Sequence, residues 1–268
     1  MTKGYLVSEF GGPEVMVWDT LNLGALAADA VRVRVGASGI NFAETRMRAG
    51  DYSGQELPFV MGMEVAGTIE EVGEAVTGLS RGDRVLGRAR GAHADVVDCD
   101  PDHLMLLPDN LSFVQGAAIP VGWLTAWHAL YTVGGMKAGD RILVEAVGGS
   151  VGSAALALAK QAGCWVLGTA SRDEKLAQAA SLGCDAVVNY TRESVSEQVA
   201  RLTEGQGMDI GLMTIGDATA DDLIDSMGMD GRVVMFGSTG GREITFNLRI
   251  GILNIQLLSM SISTSPAF

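Results

Sequence analysis

The amino-acid sequence predicts an α/β protein in two parts, a compact β-rich domain over residues 1–121 and a doubly wound parallel sheet over residues 122–268. Three observations carry this reading. Up to about residue 120, short apolar stretches are broken closely by Gly50, Gly54, Gly62, Gly67, Gly73, Gly78, Gly82 and Gly87, as in small barrel-like β domains. Beyond Gly122, strands and helices alternate, the pattern of a parallel sheet wrapped by helices. At the first strand-to-helix junction of the second part, Arg141-Ile-Leu-Val-Glu-Ala-Val runs into Gly148-Gly149-Ser150-Val151-Gly152 and then into small residues.

In the β-rich part, Val31–Val35 alternates apolar and charged residues, and Glu64–Val72 and Gly82–Leu86 read as further strands. Glu64 sits in an otherwise apolar stretch and needs a partner, for which Arg46 and Arg84 are the candidates. In the second part, Leu124–Tyr131 reads as a helix, with Trp123 and Trp127 four apart on one face and expected to pack. Strands follow at Ile142–Ala146, Trp165–Thr169, Ala186–Asn189, Met208–Met213 and Arg232–Phe236, with helices between them at Val151–Ala162, Asp173–Leu182, Val195–Leu202 and Ala220–Met227. Gly163 and Gly183 stand where helices end on a left-handed residue. Ser171-Arg-Asp-Glu174 has the spacing of a capping box. Leu257–Ser263 supplies a sixth strand.

Composition narrows the function classes. A net charge of −13 argues against nucleic acid or an anionic membrane as partner. The three cysteines are scattered, which suggests a reducing compartment rather than a disulfide framework. No apolar run reaches membrane-spanning length, and the N-terminus lacks a signal peptide's apolar core, so a cytoplasmic location is expected. His93, His103 and His128 lack the spacing of metal ligands, and no catalytic metal is expected.

The glycine turn carries the strongest functional signal. Glycines let the backbone turn tightly and approach a diphosphate, and the helix start offers free N–H groups and a positive dipole end to that anion. With 36 glycines in 268 residues, spacing alone would be weak; the strand–turn–helix context raises it. Cofactor choice turns on the end of the second strand, where an acidic residue would favour a ribose 2′-hydroxyl and repel a 2′-phosphate. Here that end reads Thr169-Ala170-Ser171, followed by Arg172 and Lys175, a hydroxyl and two cations that suit a phosphate and so NADPH. The residues leave other readings open: Ser171 as a helix cap with Arg172 and Lys175 solvated, or Asp173 as the ribose acid on a longer strand.

Taken together, Gly39-Ile-Asn41-Phe, Arg48-Ala-Gly-Asp-Tyr52, Pro58-Phe-Val-Met-Gly-Met-Glu64-Val-Ala-Gly67, Gly82-Asp-Arg-Val85, Leu107-Pro-Asp-Asn-Leu-Ser and Leu124-Thr125-Ala-Trp make the chain similar to one family, as do the glycine turn and Gly168-Thr-Ala-Ser171 with Lys175. It resembles the zinc-free quinone oxidoreductase and enoyl reductase branch of the medium-chain dehydrogenase/reductase superfamily. The resemblance implies a GroES-like β domain for substrate and catalysis, a Rossmann domain for NADPH, and both ligands in a cleft between them. Where zinc-dependent cousins carry cysteine and histidine ligands, this chain reads Ser38-Gly-Ile-Asn41 and Met63. The fingerprint has Ser150 where the family usually has glycine. Family members continue past the sixth strand with a segment that returns to the first domain, whereas the sequence given ends at Phe268. That motivates a second reading, a nucleotide-binding protein without turnover.

By the same resemblance, Asn41 sits by the nicotinamide ribose and the substrate carbonyl, Tyr52 near the substrate as hydrogen-bond or proton donor, and Thr125 by the nicotinamide half. The diphosphate would meet Gly149, Ser150, Val151 and Gly152, the 2′-phosphate Ser171, Arg172, Lys175 and Tyr190. Ile215, Gly216, Phe236, Gly237 and Ser238, after the fourth and fifth strands, would line the rest. Each has a structural alternative: Asn41 as a cap or turn residue, Tyr52 as packing, Thr125 as an ordinary helix residue, Gly237 as a turn, Phe236 as core. The implied reaction is hydride transfer to a quinone or an α,β-unsaturated carbonyl. An enoyl thioester is the alternative, with Arg46, Arg48, Arg88 and Arg90 as candidate phosphate contacts. A homodimer through the paired sixth strands is also implied.

Overall fold

The structure is a computed structural model that describes residues 1–52, 54–240 and 243–261. The chain divides into two compact units, Met1–Val121 and Gly122–Phe268.

The first unit contains two sheets. Strands β1 (Thr2–Val7), β2 (Met16–Leu21), β3 (Val31–Ala37), β4 (Phe59–Val60), β5 (Glu64–Val72), β6 (Arg84–Arg88), β7 (Val96–Cys99) and β8 (Leu104–Leu106) are joined by helices α1 (Phe42–Ala49) and α2 (Phe113–Ala117). Five strands form one sheet in the order β7-β3-β5-β6-β8, and β2-β1-β4 form the other. The alternation read in β3 has a direct physical outcome. Val31 and Val33 are buried against Val65, Ile69, Val85 and Val97, while Arg32 bonds Asp98 and Arg34 pairs with Glu70 on the opposite face. Central β5 is buried on both faces over Glu64–Gly67, which puts the Glu64 carboxyl inside the unit. The small sheet is held by antiparallel pairing of β1 with β2 and β4.

Helix α3 (Pro120–Trp127) starts at the end of the first unit and leads, in the second, into a six-residue π-helical segment, His128–Val133. The helix expected over Leu124–Tyr131 therefore starts a turn earlier, with Pro120 at the position that needs no N–H partner, and widens at its end. Trp123 and Trp127 do not pack into the core as expected; they are 41 % and 48 % exposed, and Trp127 stacks on Tyr131 with centroids 4.2 Å apart.

Strands β9 (Arg141–Val144), β10 (Trp165–Ala170), β11 (Ala186–Asn189), β12 (Met208–Met213), β13 (Met227–Met235) and β14 (Gln256–Ser259) form one all-parallel sheet in the order β11-β10-β9-β12-β13-β14. Helices α4 (Ser150–Gln161), α5 (Asp173–Ser181), α6 (Val195–Leu202), α7 (Asp217–Asp225) and α8 (Arg249–Ile252) fall between them. Strand order reverses between β9 and β12, the switch point where such sheets bind ligands beyond their carboxyl ends. Ile142, Leu143, Val144, Leu167, Ile210 and Leu212 are all at most 1 % exposed, the double-sided burial that turns parallel strands into continuous apolar runs.

Gly163 and Gly183 follow α4 and α5 with φ of +79° and +92°, the left-handed geometry expected of them. Three expectations are corrected. Helix α5 is capped by Arg172, without a side-chain cap, so Ser171-Arg-Asp-Glu174 is not a capping box. The fifth strand begins at Met227, well before Arg232; the Met-Gly-Met-Asp-Gly run hid it because two glycines and left-handed Asp230 read as a turn. The helix expected over Ala220–Met227 runs Asp217–Asp225, its last positions being given to that strand. The sixth strand runs over Gln256–Ser259; residues 262 and 263 of its expected span lie outside the described residues.

Candidate functional site

In the second unit, the nominated residues gather at the carboxyl ends of the parallel strands. β9 ends in a turn where Ala146 takes φ +49° and Gly149 caps α4 in extended geometry. Gly152 lies in the first turn of α4 directly against that bend; a Cβ on it would fall 2.7 Å from Val147 Cα and collide with the Ala146 carbonyl. The helix thus starts as close to the strand end as backbone allows, and its leading amides at Ser150, Val151 and Gly152 have no intrahelical acceptor. Ser150 is the first helical residue and is not among the left-handed positions, so serine costs the turn nothing; its Oγ rests where Gly122 leaves out a side chain. The arrangement fits a diphosphate, because unpartnered N–H groups and a dipole end converge where only glycine permits approach.

The second strand's end lies beside this turn. A Cβ on Gly148 would come 2.6 Å from Lys175 Cβ, so the lysine stem packs on the glycine turn itself. Val147 N–H donates to the Thr169 carbonyl at 3.0 Å and ties the turn to β10. Ser171 and Arg172 are exposed, while Lys175 and Tyr190 are half-buried. Asp173, the rival ribose acid, accepts from Asn189 Nδ2 at 2.7 Å and from Arg192 at 2.8 Å. Those bonds hold its carboxyl below the ordinary aspartate range and occupy it.

The loops after β12 and β13 are fastened together. Thr214 and Ile215 N–H groups donate to Glu145 Oε2 at 2.8 and 2.9 Å, and Thr219 Oγ1 donates to Oε1 at 2.5 Å. Glu145 is 3 % exposed; burial pushes its carboxyl above the ordinary value, with the Thr219 and backbone bonds opposing. Gly240 N–H donates to Ile215 O at 2.7 Å, and a Cβ on Gly237 would meet Thr214 Oγ1 at 2.5 Å. Ile215, Gly216, Phe236, Gly237 and Ser238 are thereby brought together, with Phe236 also packing on the core. Thr125 is buried in α3.

In the first unit, Asn41 precedes α1 and is 8 % exposed. Its N–H donates to Glu44 Oε2 at 3.1 Å and its Nδ2 to Glu64 Oε1 at 2.7 Å. Glu64 Oε2 accepts from Val121 N–H at 2.8 Å, Glu44 Oε1 from Met63 N–H at 2.9 Å, and His93 Nε2 lies 3.0 Å from Gly39 O. Burial raises both carboxyls, Glu44 and Glu64, above their ordinary values against these hydrogen bonds. The expected partners of Glu64 are engaged elsewhere: Arg46 pairs with Asp51, and Arg84 donates to the carbonyls of Asp109 and Leu111. Sequence reasoning missed Glu44 and Glu145; Asn41-x-x-Glu44 at a helix start was a readable signal, Glu145 was not. Tyr52 is 41 % exposed and close enough to Arg88 to oppose the lowering that burial and Arg90 impose on that guanidinium.

No group of three or more His, Cys, Asp or Glu side chains among the described residues is placed to hold a metal ion. No helix among them is long and apolar enough to cross a membrane.

Residues 27–117 match the alcohol dehydrogenase GroES-like domain and residues 150–266 the zinc-binding dehydrogenase family. The human quinone oxidoreductase is 33 % identical over 267 residues, covering 97 % of this chain and 81 % of the relative. The structure of a Pseudomonas syringae quinone oxidoreductase superposes with a TM-score of 0.92 at 34 % identity, covering 98 % of this chain and 82 % of that one. The Escherichia coli quinone oxidoreductase complexed with NADPH gives 0.89 at 30 %, with the same coverage.

Proposed function

The chain belongs to the quinone oxidoreductases of the medium-chain dehydrogenase/reductase superfamily, and from that premise we propose that it is an NADPH-dependent oxidoreductase that reduces quinones or α,β-unsaturated carbonyls without a metal. The observation that carries this reading is the Gly152 contact, which sets the head of α4 against the end of β9. NADPH supplies the hydride. The amides of Gly149, Ser150, Val151 and Gly152 hold its diphosphate, and Ser171, Arg172, Lys175 and Tyr190 its 2′-phosphate. Ile215, Gly216, Phe236, Gly237 and Ser238 line the remainder of the nucleotide, with Thr125 near the nicotinamide. Asn41 orients the ribose, and Tyr52 Oη donates to the oxygen on which negative charge develops.

Among the arginines that could serve a thioester's phosphates, Arg46 is engaged by Asp51 and Arg48 by the Gly11 carbonyl. That favours a quinone or small enone over a CoA or carrier-protein thioester. The first unit would thus be the substrate domain and the second the NADP domain, in a cytoplasmic homodimer paired through β14. Loss of NADPH absorbance on adding 9,10-phenanthrenequinone tests the activity. Binding of NADPH without oxidation across quinones and enones would favour the reading without turnover.

A further inference from the structure

The buried cluster around Asn41 contains a carboxylate that the proposed chemistry leaves unused. Glu64 is 3 % exposed, and its oxygens serve two separate donors: Oε1 accepts from Asn41 Nδ2 at 2.7 Å and Oε2 from Val121 N–H at 2.8 Å. Gly39 makes the room, since a Cβ there would fall 2.6 Å from Glu64 Cδ. A carboxylate only accepts, so the Asn41 carboxamide must turn its NH2 end toward Glu64 and its Oδ1 away. The capping box at the head of α1 turns it the same way, with the Asn41 side-chain oxygen toward the Glu44 N–H, so Glu64 and Glu44 act together on this carboxamide.

We infer that Glu64 is a positioning residue: with the capping box, it fixes which end of the Asn41 carboxamide meets the nicotinamide ribose, so that Oδ1 accepts a ribose hydroxyl. The inference rests on the assignment of Asn41 under the proposed function. Glu64→Gln is nearly isosteric and reverses the instruction. With its Oε1 kept on Val121 N–H, its Nε2 faces Asn41. The carboxamide then either flips to answer with Oδ1, giving up its place in the capping box, or keeps its NH2 against another donor; either way its hold on the ribose is lost or loosened.

The test is a double-mutant cycle on the full chain: wild type, E64Q, N41A and E64Q/N41A, each titrated with NADPH by quenching of tryptophan fluorescence and assayed for NADPH oxidation. E64Q is expected to raise Kd about fivefold when Asn41 is present and less than about twofold when it is absent, with kcat/KM following, as for two groups acting through one hydrogen bond. Equal effects in both backgrounds, or no effect of E64Q on a wild type that binds, would overturn the inference. A wild type that binds no NADPH would instead defeat the functional assignment itself, and the inference with it. Should E64Q lack a cooperative melt, E64D replaces it in the same cycle, keeping the charge but shortening its reach. The same results then support or overturn the inference.

Discussion

Lys175 concentrates the cofactor question in one side chain. Its stem lies on Gly148, which keeps the side chain beside the glycine turn. With Asp173 occupied by Asn189 and Arg192, Lys175 is the charged group that the proposed function sets against the 2′-phosphate. Lys175→Glu should therefore raise the Kd for NADPH at least tenfold while leaving NADH within about twofold, since one charge-assisted contact to a phosphate is lost and a repulsion gained. Parallel titrations with both nucleotides check this, and an equal loss for both would place Lys175 outside the phosphate site. At this scale the sequence was legible where chemistry is local: a hydroxyl and two cations beyond β10 could be read from their order. The partners of Glu64 could not, because Asn41 and Val121 stand 23 and 57 positions away and meet it only through folding.

At the scale of elements, the β9–α4 junction has no slack. Gly152→Val would drive two methyls into the Ala146 carbonyl and force α4 off the strand, so it should abolish nucleotide binding and cost several kcal/mol, on the order of core overpacking. Chemical denaturation with and without NADPH would show both effects. Helix α6 has a different tether. Asp222 on α7 accepts from the Val195 and Ser196 amides at 2.6 and 2.9 Å and from Ser194 Oγ at 3.0 Å. Burial pushes its carboxyl up, but the hydrogen bond from Ser196 Oγ at 2.5 Å together with these bonds outweighs burial and brings it below the ordinary aspartate value. A lowered folded-state value contributes stability above the unfolded value and loses it as pH falls through the folded one. Asp222→Asn should then cost about 2 kcal/mol at neutral pH. The gap to wild type should close below about pH 4, as read from denaturation midpoints across pH. The alternating strands and helices were readable because each segment carries its own period and stop glycine. The β1–β2–β4 sheet and the start of β13 were not, because backbone pairing with distant strands defines them.

Across the whole molecule, the parallel sheet ends on β14, which pairs with β13 on one side. An apolar edge strand is a template for another chain, and in the proposed homodimer a second copy of β14 would satisfy it with two-fold symmetry. Light scattering at micromolar concentration should give twice the chain mass of 28.0 kDa, and a single-chain mass would contradict pairing. In the proposed function the backbone amides at the head of α4 hold the diphosphate of NADPH. Calorimetric titration of the folded chain with NADPH checks this, with one nucleotide expected per chain at a Kd in the micromolar range, tighter than NADH. Absence of binding by either nucleotide at millimolar concentration would contradict it.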